Sequence, residues 1–231
     1  MFRKEAEGLD ILKKSGALIP EVINILQDEK YQYLLLSWLP PTGETPESSY
    51  NAGIMLAQMH KTENNLFGLE YDNYMGSLPQ KNDFHTNFSD FWANCRIIPL
   101  IEQCRNSDLL SGNDTKKIEL VLGQTNNLIP QKKPSLIHGD LWSGNFHPSG
   151  GIIYLIDPAV AYSHLEADLA MMHLFGSPSS ELMRSYENEY PPEPGFRQRF
   201  SFFNIYPLLV HLLLFGHSYH SQLMQNVRKY S

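Results

Sequence analysis

The chain has 231 residues, 42% of them hydrophobic and 19% charged, with a net charge of −7. That is enough apolar material for one packed domain or two small lobes, and the composition excludes a disordered chain. No Lys/Arg run exceeds two residues and the longest apolar run, 208–215, is interrupted by His211, which excludes a basic nucleic-acid face and a membrane-spanning helix. Cys95 and Cys104 suit neither a disulfide framework nor a zinc site, and the first residues have no signal-peptide pattern, so a cytoplasmic protein with buried thiols is expected.

In chain order, the spacing predicts a helix over 2–14, stopped by Ser15-Gly16. Two strands follow over 21–27 and 31–38 around Asp28-Glu29-Lys30, ended by Pro40-Pro41-Thr42-Gly43. A helix over 47–61 places His60 near its C-terminus, where a histidine compensates the helix dipole. Residues 64–87 read as a long loop rich in aromatic and amide side chains, suited either to packing or to gripping a polyhydroxylated ligand. A helix over 88–105 should kink or end a first segment at Pro99, and a helix over 113–128 is capped at Asn113 or Asp114. A short buried strand over 135–138 leads to a hairpin of 145–147 and 152–156. Helices over 165–175 and 179–188 follow, then a helical region over 196–223 bent near Pro207 and Gly216. His211, His217 and His220 lack a carboxylate at ligand spacing and read as core or surface histidines.

The stretch His138-Gly139-Asp140-Leu141-Trp142-Ser143-Gly144-Asn145 carries the chemistry. Asn145 lies five residues after Asp140, and Asp157 twelve after Asn145, at the end of the predicted hairpin. In phosphoryl transfer a first Asp takes a proton from the acceptor hydroxyl, while an Asn and a second Asp hold Mg²⁺ against nucleotide phosphates. The order resembles the H-R-D-x-x-x-x-N and D-F-G segments of protein kinases, with Gly139 in place of the Arg. Two hairpin strands with polar loop residues would not require these three donors together. Asp168 falls on a largely apolar helix and needs buried donors, which loop N–H groups can supply, so it is read as structural support for the loop.

With these residues in view, the chain resembles the fructosamine kinase family, whose fold is that of aminoglycoside and choline kinases. The resemblance rests on Glu5-Ala6-Glu7-Gly8-Leu9, Tyr33 through Leu39, Asp72-Asn73-Tyr74-Met75-Gly76-Ser77, Pro79-Gln80-Lys81-Asn82, His138 through Asn145, Asp157-Pro158-Ala159 and Glu166-Ala167-Asp168-Leu169-Ala170-Met171. It runs in order across nearly the whole chain, and Trp142 separates this family from the broader aminoglycoside kinase group. The resemblance implies an α+β, protein-kinase-like two-lobe fold: a partial small β lobe over 1–40 with a hinge at 37–39, and a mainly helical lobe over 41–231. It implies Asp140 as catalytic base, Asn145 and Asp157 as Mg²⁺ ligands, and Ser37, Trp38 and Leu39 as the adenine hinge. Trp142 would lie beside the sugar, and Glu5 would be the helix carboxylate that pairs with an ATP-phosphate lysine. The implied reaction is ATP- and Mg²⁺-dependent phosphorylation of the 3-hydroxyl of a protein-bound or small-amine ketosamine, which leads to deglycation.

Some positions depart from the family pattern. Its glycine-rich hairpin and lysine strand, which precede the opening helix, have no counterpart in this sequence. Ser37 stands where a Glu is usual, Ser163 and Leu165 where Gly and Arg are common, and Val210 where an Asn precedes the histidine. A second reading follows from the first departure: a truncated kinase-fold protein that binds but turns over poorly, lacking the lysine and glycine-rich loop. A two-metal hydrolase built on Asp140 and Asp157 is disfavoured, since no further His or carboxylate ligands accompany them.

Overall fold

The computed structural model describes residues 1–230 as an α+β fold in which small antiparallel hairpins are set among helices. Helix α1 (Phe2–Lys14) turns Leu9 and Leu12 inward, with Glu5 in its first turn and Lys13 and Lys14 in its last, the charge order that a helix dipole favours. It packs on the hairpin of β1 (Val22–Gln27) and β2 (Gln32–Leu36). The hairpin turn is closed by Asp28, whose Oδ1 accepts the N–H groups of Lys30 and Tyr31 at 2.7 Å each. One face of this two-stranded sheet is bare: Ile23, Leu26, Tyr33 and Leu35 are all exposed.

Helix α2 (Pro46–His60) begins at a capping box between Thr45 and Ser48 and buries one side, including Ala52, Leu56, Met59 and His60. Its longest contact is with α8 (Ser180–Glu189). The two helices close at Gly53, where a Cβ would lie 2.0 Å from Ser185 Oγ and 2.2 Å from the Leu182 carbonyl. No residue with a side chain fits there without parting the pair.

The expected loop over 64–87 contains a hairpin, β3 (Asn73–Met75) and β4 (Leu78–Gln80). Three-residue strands containing Pro79 are too short for alternation to announce them, and their stability comes from side-chain amides instead. Asn73 Nδ2 donates to the Val160 carbonyl, Gln80 Nε2 to Asn73 Oδ1, and Asn82 Nδ2 to Asn73 Oδ1. Buried Arg96 closes this network by donating to Asn82 Oδ1 and the Lys81 carbonyl.

The helix over 88–105 breaks ahead of its proline: α3 (Phe88–Phe91), a π-helical segment (Trp92–Ile97), then α4 (Ile98–Asn106). Pro99 has no N–H and would press its ring on the carbonyl four residues back, and the wider π turn relieves this, with Ile98 N–H reaching the Ala93 carbonyl. Phe88, Phe91 and Trp92 pack with Phe202 and Phe203 in the largest apolar cluster. Ser111, not Asn113 or Asp114, caps α5 (Gly112–Leu122), and α6 (Thr125–Leu128) follows separately.

Strand β5 (Ser135–Ile137) pairs with β8 (Ala161–Ser163), a strand the sequence did not suggest, and β6 (Phe146–Ser149) pairs with β7 (Ile152–Leu155). After α7 (Glu166–Met172), the C-terminal helices are α9 (Phe196–Phe203), α10 (Ile205–Phe215) and α11 (His220–Val227). The break between α9 and α10 is at Asn204 rather than Pro207, because a proline in a first turn removes no helix hydrogen bond. Among the described residues no helix is long and apolar enough to cross a membrane.

Candidate active site

Strand β5 delivers His138, and the chain then turns at Gly139, with φ +85°. The turn needs glycine twice over. The backbone is left-handed, and a Cβ would lie 2.0 Å from the Ala159 carbonyl oxygen. The Ala159 N–H donates to the His138 carbonyl at 2.9 Å, pinning the loop to the chain that follows Asp157. His138 is fully buried; its Nε2 donates to the Ile156 carbonyl at 3.0 Å, and its Nδ1 accepts the Asp140 N–H at 3.3 Å. Burial holds its pKa below the ordinary histidine value, so the ring is neutral.

A single 3₁₀ turn (Ser143–Asn145) brings Asn145 back to Asp140. Asn145 Nδ2 donates to the Asp140 carbonyl at 2.7 Å and to Asp140 Oδ2 at 3.2 Å. The Asn145 carbonyl accepts the Ile156 N–H at 3.1 Å, and the next residue is Asp157. Asp157 has φ +52°, an unusual conformation for a residue with a Cβ and one that costs backbone energy. Trp142 folds its ring back over the loop, where a Cβ on Gly144 would lie 2.3 Å from it.

Glu5, Asp140, Trp142, Asn145 and Asp157 all line one cleft of about 380 Å³, whose other walls include Asn73 and Tyr74 of β3. Burial raises the Asp140 pKa to about 6, the hydrogen bond from Asn145 opposes that rise, and the charges of Asp168 and Asp157 add to it. Glu5 is raised to about 7, first by burial, then by the charge of Asp157 and a hydrogen bond with it. Glu5 and Asp157 thus share one cleft, and Lys4 beside Glu5 pairs with Glu7 at 2.8 Å. Ser37, Trp38 and Leu39 do not line the cleft. Trp38 is 80% exposed. Ser37 N–H donates to the Glu21 carbonyl at 2.8 Å, and the Leu39 carbonyl accepts from His147 Nε2 at 2.8 Å. That histidine lies on β6, which starts directly after Asn145, so this segment and the loop are tied to one strand.

Asp168 lies beneath the loop. Its Oδ2 accepts the His138 N–H at 2.7 Å, and its Oδ1 accepts the Gly139 N–H at 2.9 Å. His60, expected to serve the dipole of its own helix, is instead fully buried and reaches Asp168 Oδ2 through Nε2 at 3.2 Å, with Tyr186 Oη at 2.7 Å from Nδ1. A histidine at a helix end carries no sequence mark that separates a surface cap from a buried bridge to a residue 108 positions away.

A pKa raised in the folded chain means that folding takes up protons. The contribution of such a carboxyl is fully present below its ordinary value and is lost as pH rises through the raised one. For Glu5 that window runs from about 4.5 to about 7. Glu5→Gln removes this dependence: between pH 5 and pH 8 the Tm of the ligand-free wild type should fall by about 2 °C more than that of the variant, the carboxyl being partly solvated. Parallel melting curves across that range check it.

Comparison with known proteins places this geometry in a family. The fructosamine kinase family profile matches residues 1–231. The chain is 33% identical to the probable ketoamine kinase of Vibrio parahaemolyticus, covering 99% of this chain and 80% of that protein. It is 32% identical to the probable ketoamine kinase of Escherichia coli K12, over 93% of this chain and 75% of that one. A candidate fructosamine-3-kinase structure from Thermobifida fusca superposes with a TM-score of 0.91 at 35% identity, covering 99% of this chain and 79% of that one. An ADP-bound aminoglycoside phosphotransferase superposes with a TM-score of 0.60 at 14% identity, over 99% and 80% of the two chains, a likeness of fold alone. By the family profile and these relatives, with the protein-kinase-like α+β fold they share, the chain belongs to the fructosamine kinase family of phosphotransferases.

Proposed function

We propose that the chain phosphorylates the 3-hydroxyl of ketosamines, fructosamine or ribulosamine adducts of proteins or small amines, using ATP and Mg²⁺. The observation that carries the reading is the Asp140–Asn145 pair, hydrogen-bonded together in the cleft that Asp157 also lines. Family membership supports the kinase activity, and the names of the ketoamine kinase relatives support the acceptor class.

Asp140 accepts the proton of the acceptor hydroxyl as the oxygen bonds to the γ-phosphorus and the bond from that phosphorus to the β-phosphate oxygen breaks, releasing ADP. A carboxyl with a pKa of about 6 is ionised at neutral pH, yet is basic enough to take that proton. Asn145 fixes the orientation of the carboxylate by donating to Oδ2. The Asn145 Oδ1 and the Asp157 carboxylate are hard oxygen donors at the adjoining ends of the β6–β7 hairpin, just before β6 and just after β7, a set that fits Mg²⁺. When bound, that ion would neutralise charge developing on the phosphates. Trp142 offers the sugar a flat apolar wall. The adenine would pair with backbone groups of Ser37, Trp38 and Leu39 that the Glu21 and His147 bonds leave free, and the nucleotide would then lie between segments 1–40 and 41–231. Glu5 faces the phosphate end, where a cation would separate it from Asp157. A phosphate at O3 makes the adduct prone to break down, which is the step toward deglycation. Incubation with ATP, Mg²⁺ and fructose-lysine, followed by ³¹P–¹H correlation NMR, should place the new phosphate on O3. A phosphate on another hydroxyl would refute the assigned position.

A further inference from the structure

The buried contact between His60 and Tyr186 extends the support of the catalytic loop beyond Asp168. A carboxylate only accepts hydrogen bonds, so His60 must present Nε2–H to Asp168 Oδ2 at 3.2 Å. Nδ1 is then the ring nitrogen left to meet Tyr186. It is fully buried, and Tyr186 Oη lies 2.7 Å from it. Tyr186 is itself fully buried, and burial drives its pKa well above the ordinary value, so it holds its proton and can donate. The Asp168 contact alone lets the ring pivot about Nε2, and the Tyr186 contact at Nδ1 is the second point that fixes its orientation. Without the Tyr186 hydroxyl, Nδ1 is left buried with no hydrogen-bond partner and the ring loses that second point.

We propose that Tyr186 is a positioning residue for phosphoryl transfer: its hydroxyl fixes the orientation of the His60 ring, which holds Asp168 on the His138 and Gly139 amides and so sets the place of Asp140. The route runs from Tyr186 on α8 to His60 on α2, then to Asp168 on α7 and the loop. It depends on the close approach of α2 and α8 at Gly53, whose space Ser185 and Leu182 occupy. The reaction part of this inference rests on the proposed function; the positioning part does not.

Tyr186→Phe removes one oxygen and keeps the ring, so it tests the route without emptying the core. In the full chain, amide exchange at His138 and Gly139 should quicken by about tenfold, while amides of α4 keep their wild-type rates. With a ketosamine acceptor, kcat should fall by about 3- to 10-fold, with KM for ATP and acceptor within about twofold, since a misplaced base affects the chemical step. In a His60→Gln background the side-chain amide can donate to Asp168 without help from Tyr186, so adding Tyr186→Phe should bring no further loss. Unchanged exchange at His138 and Gly139 in Tyr186→Phe overturns the proposal, as does an equal extra loss of kcat in the His60→Gln background. Should the wild type phosphorylate no ketosamine, the exchange rates alone decide the positioning role, and only the proposed reaction is lost.

Discussion

In an Asp140→Asn variant, kcat with a ketosamine acceptor falls by about 10³-fold, while ATP affinity stays within about twofold. The substitution keeps the shape of the side chain and removes the basic oxygen, and general-base assistance is worth roughly 10²- to 10⁴-fold. Nucleotide binding should survive because Asn145 Oδ1 and Asp157 remain in place. The pH profile adds a second signature. As a general base Asp140 would act only when ionised, and its pKa is raised to about 6, so kcat/KM of the wild type should climb through about pH 6 and level off above it. Steady-state rates and titration calorimetry measure both. A loss under tenfold, or an unchanged ascending limb in the variant, would mean that Asp140 is not the base.

Asp168→Ala should carry the largest stability loss of any single substitution at the site. Three donors lose their acceptor at once: the N–H groups of His138 and Gly139 and Nε2–H of His60. His60, His138 and Asp168 are all buried, so water does not replace the lost partner. Removing one member of such a buried charged network costs about 3–5 kcal/mol. For a chain of this size, that lowers Tm by about 10 °C. A drop under about 2 °C in a calorimetric scan would show that the loop holds itself without this anchor.

The sequence made some of this molecule visible and hid the rest for identifiable reasons. Helix α1, the β1–β2 hairpin, α2 and the β6–β7 hairpin announce themselves through apolar period and turn residues, and each lies within a few residues of where those signals put it. Asp140, Asn145 and Asp157 could be singled out because β5 and the β6–β7 hairpin are short and local, so sequence spacing translates into spatial order. Strands β3, β4 and β8 escaped because three residues cannot show alternation, and β3 is tied by Asn73 to Val160, 87 positions away. The π segment escaped for a related reason. A proline signals that a helix must yield, but whether it ends or widens depends on what packs around it, here Phe202 and Phe203 on Trp92. The bridge from Tyr186 to His60 spans 126 positions and rests on two helices closing at a glycine. No local pattern carries that information. The facing carboxyls of Glu5 and Asp157 likewise became apparent only with both elements in place.

The most direct measurement is ADP release from the wild-type chain at saturating ATP and Mg²⁺, with and without ribulose-lysine or fructose-lysine, alongside Asp140→Asn as control. The wild type should release ADP in an acceptor-dependent way, stoichiometric with phosphorylated ketosamine, and the variant almost none. ATP binding without acceptor-dependent ADP release, for either ketosamine, would contradict the proposed function.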